Sequence, residues 1–199
     1  MITIIDYGLG NLTSVANALK KLSIPCQISD RSKDISTASA LILPGVGAAG
    51  EGMKNLKAKG LDKIIIAQAS AGKPLLGICL GMQLLFTESD EGNTPCLNLI
   101  KGKVKKFQTN LKVPQIGWNQ VSTSSKSQLL KDIDNESYFY FVHSYYCDPT
   151  DKTITTGTTE YDQIFCTVLE TDNIFGVQFH PEKSGEAGLQ LLQNFEKLI

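Results

Sequence analysis

The chain has 199 residues, of which 42% are hydrophobic and 20% are charged. This length and balance are typical of one globular domain with a sizeable core, so we expect residues 1–199 to form a single domain. The formal net charge of −1 argues against nucleic acid or an anionic membrane as the main partner. No apolar run approaches the length that is needed to span a membrane.

The five cysteines, at positions 26, 79, 96, 147 and 166, form no CxxC pair. Scattered thiols are typical of a reducing compartment, so we expect free cysteines and a cytoplasmic protein. The N-terminal residues 1–5 lead directly into a strand and lack the basic region of a signal peptide. The two histidines and the scattered cysteines do not have the spacing that is typical of a metal site, so we expect no metal and no cofactor.

In chain order, the first half alternates strand-like and helix-like segments. Apolar runs predict strands at residues 2–6, 26–28, 40–43 and 74–76. Helical spacing predicts helices at residues 12–22, at residues 53–57 with an end near Gly60, at 61–71 and at 82–87. This alternation is typical of a parallel sheet with right-handed crossovers.

The second half is rich in Thr, Val, Phe and Tyr, in short segments that turn residues separate. These segments predict strands at residues 103–107, 138–147, 153–159, 165–170 and 174–179, followed by a helix at 185–198. We therefore expect an α/β fold with a mostly parallel central sheet flanked by helices. Antiparallel strands of the second half should extend that sheet and not start a second domain.

Cys79 lies in the motif Gly77-Ile78-Cys79-Leu80-Gly81, between a predicted buried strand and a predicted helix. A reactive side chain flanked by glycines in this position is typical of a nucleophile elbow, here with cysteine in place of serine. A helix N-terminus favours the thiolate. A buried, inert cysteine is the alternative interpretation.

His180-Pro181-Glu182 offers a base and a group that orients it. Proline disfavours the helical region for His180, so we expect an extended segment in which His180 and Glu182 face the same way. Glu182 then accepts a hydrogen bond from one ring nitrogen while the other nitrogen faces the thiol. This arrangement predicts a catalytic triad of Cys79, His180 and Glu182.

An elbow also predicts an oxyanion hole that includes the N–H of Leu80. The second donor should come from the loop after the third strand, from Val46 or Gly47. Gly45, Gly47 and Gly50 also match the dinucleotide motif GxGxxG, which leaves nucleotide binding as an alternative. That motif normally follows the first strand, and no acidic residue stands about 20 positions further on.

Two further features need interpretation. Lys101, Lys103, Lys105 and Lys106 form a small basic run, which we interpret as a solvated strand face. Trp118 is the only tryptophan, and it is either a core residue or an anchor at a partner interface.

The elbow and His180-Pro181-Glu182 together resemble the class I, triad-type glutamine amidotransferases. The stretches 6–12, 44–47, 117–119, 141–146 and 180–184 look like the glutaminase subunits of imidazole glycerol phosphate synthase, and the match covers nearly the whole chain. Two positions depart from that pattern. Gln115 stands where the family often has histidine, and Ala49 replaces a common aromatic residue.

The resemblance implies a flavodoxin-like fold and hydrolysis of L-glutamine through a glutamyl thioester on Cys79. It implies that ammonia passes to a cyclase subunit with a (βα)8 barrel, in a heterodimer that makes imidazole glycerol phosphate and AICAR from PRFAR. Its glutamine-binding positions are Gln83, His143, Ser144 and Tyr145. Its partner-interface positions are Asn11, Trp118, Tyr140 and Lys183.

The resemblance further implies low activity without the partner, because the backbone at residues 44–47 must reorient before it can serve the oxyanion. Other class I amidotransferases, a free-standing glutaminase and a non-catalytic scaffold with the same fold remain as alternatives.

Overall fold

The computed structural model describes residues 1–199. Its strands are β1 Ile2–Ile5, β2 Cys26–Ser29, β3 Ala40–Leu43, β4 Leu75–Ile78, β5 Phe86–Ser89, β6 Thr94–Pro95, β7 Ile100–Lys106, β8 Gln115–Thr123, β9 Ser137–His143, β10 Tyr145–Pro149, β11 Thr155–Glu160, β12 Ile164–Thr171 and β13 Ile174–Val177. Its helices are α1 Leu12–Lys21, α2 Ser32–Thr37, α3 Ala49–Ala58, α4 Leu61–Ser70, α5 Leu80–Leu84 and α6 Gly185–Glu196. Short 3₁₀ helices lie at Glu91–Asn93, Lys152–Ile154 and Pro181–Lys183.

The parallel part of the sheet has the strand order β2-β1-β3-β4-β13. Every residue of β1, β3, β4 and β13 is buried, as expected for parallel strands that helices cover on both faces. Side chains of α1 and α6 contribute to the core on one face, and those of α2, α3 and α4 to the core on the other. The predicted parallel sheet flanked by helices is confirmed.

The second half continues the same sheet. β12 pairs antiparallel with β13, and β10, β7, β5 and β6 follow in that order. A branch from β12 runs through β11 to β8 and β9. All 13 strands belong to one sheet, which confirms the predicted antiparallel extension. No helix is both long enough and apolar enough to cross a membrane.

Two predicted elements differ most in their extent from those of the structure. The helix predicted at 82–87 is α5, which ends at Leu84, and Phe86 already lies in β5. Pairing of β5 with β6 and β7 overrides the apolar run that resembled a helix. The strand predicted at 138–147 is two strands that separate at Ser144 and pair with different neighbours.

Four elements were not predicted: the strands β5, β6 and β8 and the helix α2. α2 is a short, mostly exposed helix, and only Ile35 of it is buried. β8 is a long strand with few buried residues. Both lack the strong apolar periodicity from which an element can be identified in a sequence.

The basic run lies on β7, and carboxylates accompany it. Lys103 pairs with Glu88 at 3.0 Å, and Lys105 pairs with Asp148 at 2.6 Å. Lys103 is exposed and Lys105 is half-buried. These pairs neutralise much of the positive charge, which agrees with the interpretation of a solvated strand face.

Candidate active site

Cys79 lies at the sharp turn between β4 and α5, with φ of 54° and ψ of −110°. Residues other than glycine rarely adopt positive φ, so the surrounding structure must hold this conformation in place. The N–H of Cys79 donates to the carbonyl of Val177 on β13 at 2.8 Å. The predicted strand–turn–helix at position 79 is confirmed, although α5 has only 5 residues.

The two flanking glycines are required by close packing. A Cβ atom at Gly77 would lie 2.7 Å from the backbone of Met82. A Cβ atom at Gly81 would lie 1.7 Å from the carbonyl oxygen of Leu43. The backbone on both sides of the cysteine therefore packs closely against neighbouring backbone.

His180 follows β13 with an extended backbone, φ −101° and ψ 96°. The extended segment expected to continue through Glu182 is wrong, because Pro181–Lys183 form a 3₁₀ helix in which proline occupies the first position. The fixed φ of proline suits that position. The turn still brings Glu182 Oε1 to 2.9 Å from His180 Nδ1, so the predicted pairing of the ring with the carboxylate is confirmed.

The side chains of His180 and Glu182 are 2% and 1% exposed. Burial alone lowers the pKa of His180, but interactions with the Cys79 thiol and the Glu182 carboxylate outweigh burial and raise it. His180 Nε2 is buried and has no hydrogen-bond partner in good geometry. Catalytic hydrogen bonds are often long before substrate binds. The imidazole thus has one nitrogen fixed by Glu182 and one free, next to the thiol.

His143, at the end of β9, is buried, and burial lowers its pKa to about 4 despite a hydrogen bond to Tyr145. The neutral ring donates from Nδ1 to the carbonyl oxygen of Tyr145 at 2.8 Å. Nε2 must then accept a hydrogen bond. Oε1 of Gln115 lies 3.0 Å from Nε2. An amide oxygen cannot donate, so we assign the opposite orientation of this amide, in which its NH₂ group donates to Nε2.

Gln83 on α5 is buried, and its Nε2 donates to the carbonyl of Tyr145 and to Oε1 of Gln178, both at 3.1 Å. Nε2 of Gln178 donates in turn to Sγ of Cys79 at 3.7 Å. Gln178 was not predicted as a site residue. The sequence carries one signal for it, since it is a polar residue within the apolar run 174–179.

A cavity of about 240 Å³ opens beside Cys79. This volume is below the roughly 300–1,000 Å³ of pockets for drug-sized ligands, so it suits a small metabolite. Its lining residues are Val46, Gly47, Cys79, Leu80, Gln83, Glu91, Pro114, Val142, His143, Ser144 and Tyr145. The three expected oxyanion residues and the four expected glutamine-binding residues therefore line one cavity with the cysteine.

Glu91 is the only acidic side chain among the lining residues, and the sequence gave no indication of it. Its Oε2 accepts a hydrogen bond at 2.7 Å from the N–H of Ala49, the first residue of α3. The carboxylate therefore joins the start of α3 to the wall of the cavity.

The loop after β3 is fixed at one end and has free donors at the other. The hydroxyl of Tyr7 donates to the carbonyl of Pro44 at 2.8 Å, and a Cβ atom at Gly45 would lie 2.4 Å from that hydroxyl. No hydrogen bond of the chain is donated by the N–H of Val46 or of Gly47, and Gly47 has φ of 101°.

The expected interface residues lie mostly on the β8–β9 pair. Trp118 and Tyr140 are cross-strand partners with ring centroids 6.1 Å apart, and Lys183 Nζ lies 5.8 Å from the centroid of the Tyr140 ring. Trp118 is 55% exposed, so the interpretation as a core residue is wrong. Asn11 stands at the start of α1, where its Oδ1 accepts from the Ser14 hydroxyl.

The exposed face of this strand pair is mostly apolar, with Gln120 as a polar residue opposite Tyr138, and it reaches the cavity. Ile116 and Tyr138 are 59% and 57% exposed, and the strand register places both on the face of Trp118 and Tyr140. Ile116 pairs with Val142, which also lines the cavity. We call the exposed side chains Ile116, Trp118 and Tyr138, together with the half-buried Tyr140, the β8–β9 face.

Comparisons with known proteins agree with this geometry. The family model described as glutamine amidotransferase class-I matches residues 3–198. The imidazole glycerol phosphate synthase subunit HisH of Moorella thermoacetica is 49% identical over 199 residues, which cover 100% of this chain and 95% of that protein. The protein of the same name from Dehalococcoides mccartyi (strain ATCC BAA-2266 / KCTC 15142 / 195) is 47% identical, with coverage of 100% and 97%.

Solved structures support the fold independently. A crystal structure of a glutamine amidotransferase has a TM-score of 0.79 at 16% identity, and the match covers 100% of this chain and 98% of that chain. The fold, the cavity with its cysteine and histidine, and the full-length relatives lead to one conclusion. The chain belongs to the class I glutamine amidotransferases and, within them, to the family of HisH subunits of imidazole glycerol phosphate synthase.

Proposed function

We propose that this chain hydrolyses L-glutamine with Cys79 as the nucleophile, His180 as the general acid and base, and Glu182 as the residue that orients the imidazole. The observation that carries the proposal is the pair of His180 and Glu182 beside the thiol, with Nδ1 held at 2.9 Å and Nε2 free. A fixed Nδ1 determines the tautomer, so Nε2 is the nitrogen that exchanges protons with the thiol and the substrate.

In the first step, the Cys79 thiolate attacks the side-chain amide carbon of glutamine and forms a carbon–sulfur bond. The carbon–nitrogen bond breaks, and the protonated His180 gives its proton to the leaving ammonia. Water then attacks the thioester while His180 removes one of its protons. Glutamate leaves, and the regenerated thiolate and imidazolium begin the next cycle.

The cavity supports glutamine as the substrate. The carboxylate of Glu91 suits the α-ammonium group, because it is the only acidic side chain of the cavity wall. The N–H groups of Val46 or Gly47, together with that of Leu80, suit the oxyanion. Gln83 and the stretch from His143 to Tyr145 form the wall that holds the rest of the amino acid.

The names of the relatives support a role for this chain as a subunit of imidazole glycerol phosphate synthase. We propose that the chain acts as one cytoplasmic domain, residues 1–199, and delivers ammonia to a (βα)8-barrel cyclase. That subunit makes imidazole glycerol phosphate and AICAR from PRFAR, a step of histidine biosynthesis. The β8–β9 face, Lys183 and Asn11 form the surface that binds the cyclase, since exposed aromatic side chains commonly anchor interfaces.

The test is release of glutamate from glutamine, measured with and without the cyclase and PRFAR. Replacement of Cys79 by alanine should abolish release, while Cys26→Ala, which removes a half-buried thiol on β2, should leave release unchanged. Full activity of Cys79→Ala would contradict the mechanism. Strong activity of the isolated chain that the cyclase does not alter would favour a free-standing glutaminase.

A further inference from the structure

The sulfur of Cys79 lies between two polar groups with opposite hydrogen-bonding character. On one side, Nε2 of Gln178 lies at 3.7 Å and donates to the sulfur. On the other side, the main-chain carbonyl of Val142 lies at 3.9 Å and accepts the S–H hydrogen. The carbonyl favours the thiol, and the amide NH₂ favours the thiolate, because a thiolate accepts hydrogen bonds and donates none.

The orientation of the Gln178 amide can be derived from the main-chain oxygen of Tyr145, which can only accept a hydrogen bond. The main-chain oxygen of Tyr145 accepts and never donates, so the atom of Gln83 that faces it at 3.1 Å is the NH₂ nitrogen. That nitrogen also lies 3.1 Å from the Gln178 amide, which must therefore present its oxygen to Gln83. The NH₂ group of Gln178 then points to the sulfur without the usual ambiguity of amide orientation.

Burial makes this chain of contacts rigid. Gln178 is fully buried and Gln83 is 5% exposed. Gln178 is also tied through its backbone, because its N–H donates to the carbonyl of Thr167 on β12 at 2.9 Å. A buried amide that lost these partners would be left unpaired at a free-energy cost, so both side chains stay in place.

We propose that Gln178 is a positioning residue that aims the Cys79 sulfur and holds it as a thiolate, and that Gln83 fixes Gln178 in this role. The inference rests on the proposed function of Cys79 and adds a residue that the triad does not include. Since Gln83 also lines the cavity, Gln83 and Gln178 together join the substrate wall to the nucleophile.

The other titratable groups around the sulfur have separate roles. His180 is its cationic neighbour, and Glu91 is the acidic group of the same cavity. Burial raises the pKa of Tyr7 and of Cys147 well above their usual values, so both stay neutral at neutral pH.

His143 and Tyr145 also line the cavity. Burial lowers the pKa of His143 to about 4 and raises the pKa of Tyr145, so both stay neutral at neutral pH. All of these groups remain in a variant of Gln178, so a change of Cys79 reactivity in that variant reports the loss of the amide.

The experiment measures the rate at which iodoacetamide alkylates Cys79 in the full-length chain as a function of pH, with the modified peptide identified by mass spectrometry. Gln178→Met keeps the length of the side chain and removes both the oxygen and the NH₂ group of the amide. We expect the midpoint of thiolate formation to move up by about one pH unit, which makes alkylation roughly tenfold slower below the midpoint. Alkylation of the half-buried Cys26 in the same molecule should not change.

Two further variants separate positioning from packing. Gln178→Glu keeps the oxygen that faces Gln83 but replaces the N–H donor by a second oxygen, so its midpoint should rise more than that of Gln178→Met. Gln83→Met leaves the donor but removes the group that orients it, so its midpoint should rise less. At neutral pH, Gln178→Met should lower kcat for glutamine more than it changes KM. Gln83 in the cavity wall keeps its hydrogen bond to Tyr145 in this variant, so substrate binding should change little.

An alkylation profile of Gln178→Met that coincides with the wild-type profile overturns the proposal. If this variant does not fold, an NMR titration of the wild-type chain tests the proposal instead. The side-chain NH₂ resonances of Gln178 must then shift with the midpoint of Cys79 alkylation, and resonances that stay constant overturn the proposal. Alkylation needs no glutamine turnover, so failure of this inference is distinguishable from failure of the proposed function, which the glutaminase activity of Cys79→Ala tests.

Discussion

At the scale of single residues, the environment of His143 differs from that of His180. Both rings are buried, but only His180 has a carboxylate partner. His143 meets the carbonyl of Tyr145 and the amide of Gln115, neither of which carries charge. Burial therefore keeps His143 neutral, while Cys79 and Glu182 favour the charged form of His180.

This difference predicts a dependence of stability on pH. The pKa of His143 falls from 6.5 to about 4 in the folded chain, so between these values the unfolded state binds more protons than the folded state. The free energy of unfolding should decrease as pH falls through this window, by up to about 1.4 kcal/mol per pH unit. Urea denaturation at a series of pH values measures this change in the free energy of unfolding.

The matched variant is His143→Asn, which keeps a donor near the position of Nδ1 and cannot titrate. Its free energy of unfolding should depend less on pH across the same window. His180 does not interfere, because its raised pKa affects stability only above 6.5, where the unfolded ring loses its proton first. Equal slopes for wild type and His143→Asn would contradict the assignment of a neutral His143.

At the scale of elements, the β4–α5 turn is the most constrained part of the site. Its strand is buried on both faces, and its cysteine has positive φ. Gly81 brings the first turn of α5 against the carbonyl of Leu43 at the end of β3. The turn is therefore held by packing between neighbouring elements, since α5 is too short to be stable alone.

We expect Gly81→Ala to destabilise the chain by more than about 3 kcal/mol, because the added Cβ would meet the Leu43 oxygen at 1.7 Å and the backbone has to move. The matched control is Gly72→Ala, at φ of 86° with no heavy atom within 4 Å of the new Cβ. Its cost should be about 1–2 kcal/mol, from backbone strain alone. Thermal denaturation compares the two, and equal losses would contradict the packing argument.

At the scale of the whole molecule, strand order brings the reactive groups together. β4 and β13 are parallel neighbours, with Ile78 paired to Val177, although the chain between them builds the antiparallel half of the sheet. The carboxyl ends of parallel strands meet at one edge, which is where α/β proteins bind ligands. Cys79 and His180 therefore follow adjacent strands at the same edge.

The same arrangement places the β8–β9 face beside the cavity. We expect Trp118→Ala to change the free energy of unfolding by less than about 0.5 kcal/mol, because the side chain is 55% exposed. Affinity for the cyclase should fall by about 2 kcal/mol or more, roughly 30-fold in Kd, as for other buried interface anchors. Calorimetric titration of the two subunits measures it.

The control for this prediction is Ile164→Ala, which truncates a side chain that is 72% exposed on β12, outside the β8–β9 face. Its Kd should equal that of the wild type. A Trp118→Ala variant that binds the cyclase as tightly as wild type would remove this face from the proposed interface.

The sequence by itself was sufficient for the features that depend on local patterns. The glycines around Cys79, the spacing of His180 and Glu182, and the buried strands of the first half all leave signals within a few residues. The same holds for the α/β class, since apolar periodicity reflects which faces are buried.

Only the tertiary structure decided which distant groups meet. Glu91 joins the cavity wall to Ala49, Gln178 after β13 reaches Cys79 after the neighbouring strand β4, and the chain separates into β9 and β10 at Ser144. Each of these depends on pairing between segments far apart in sequence, and the residues involved look ordinary in their local context. Local patterns record burial and turn geometry, whereas a polar contact between distant residues exists only after the strands have paired.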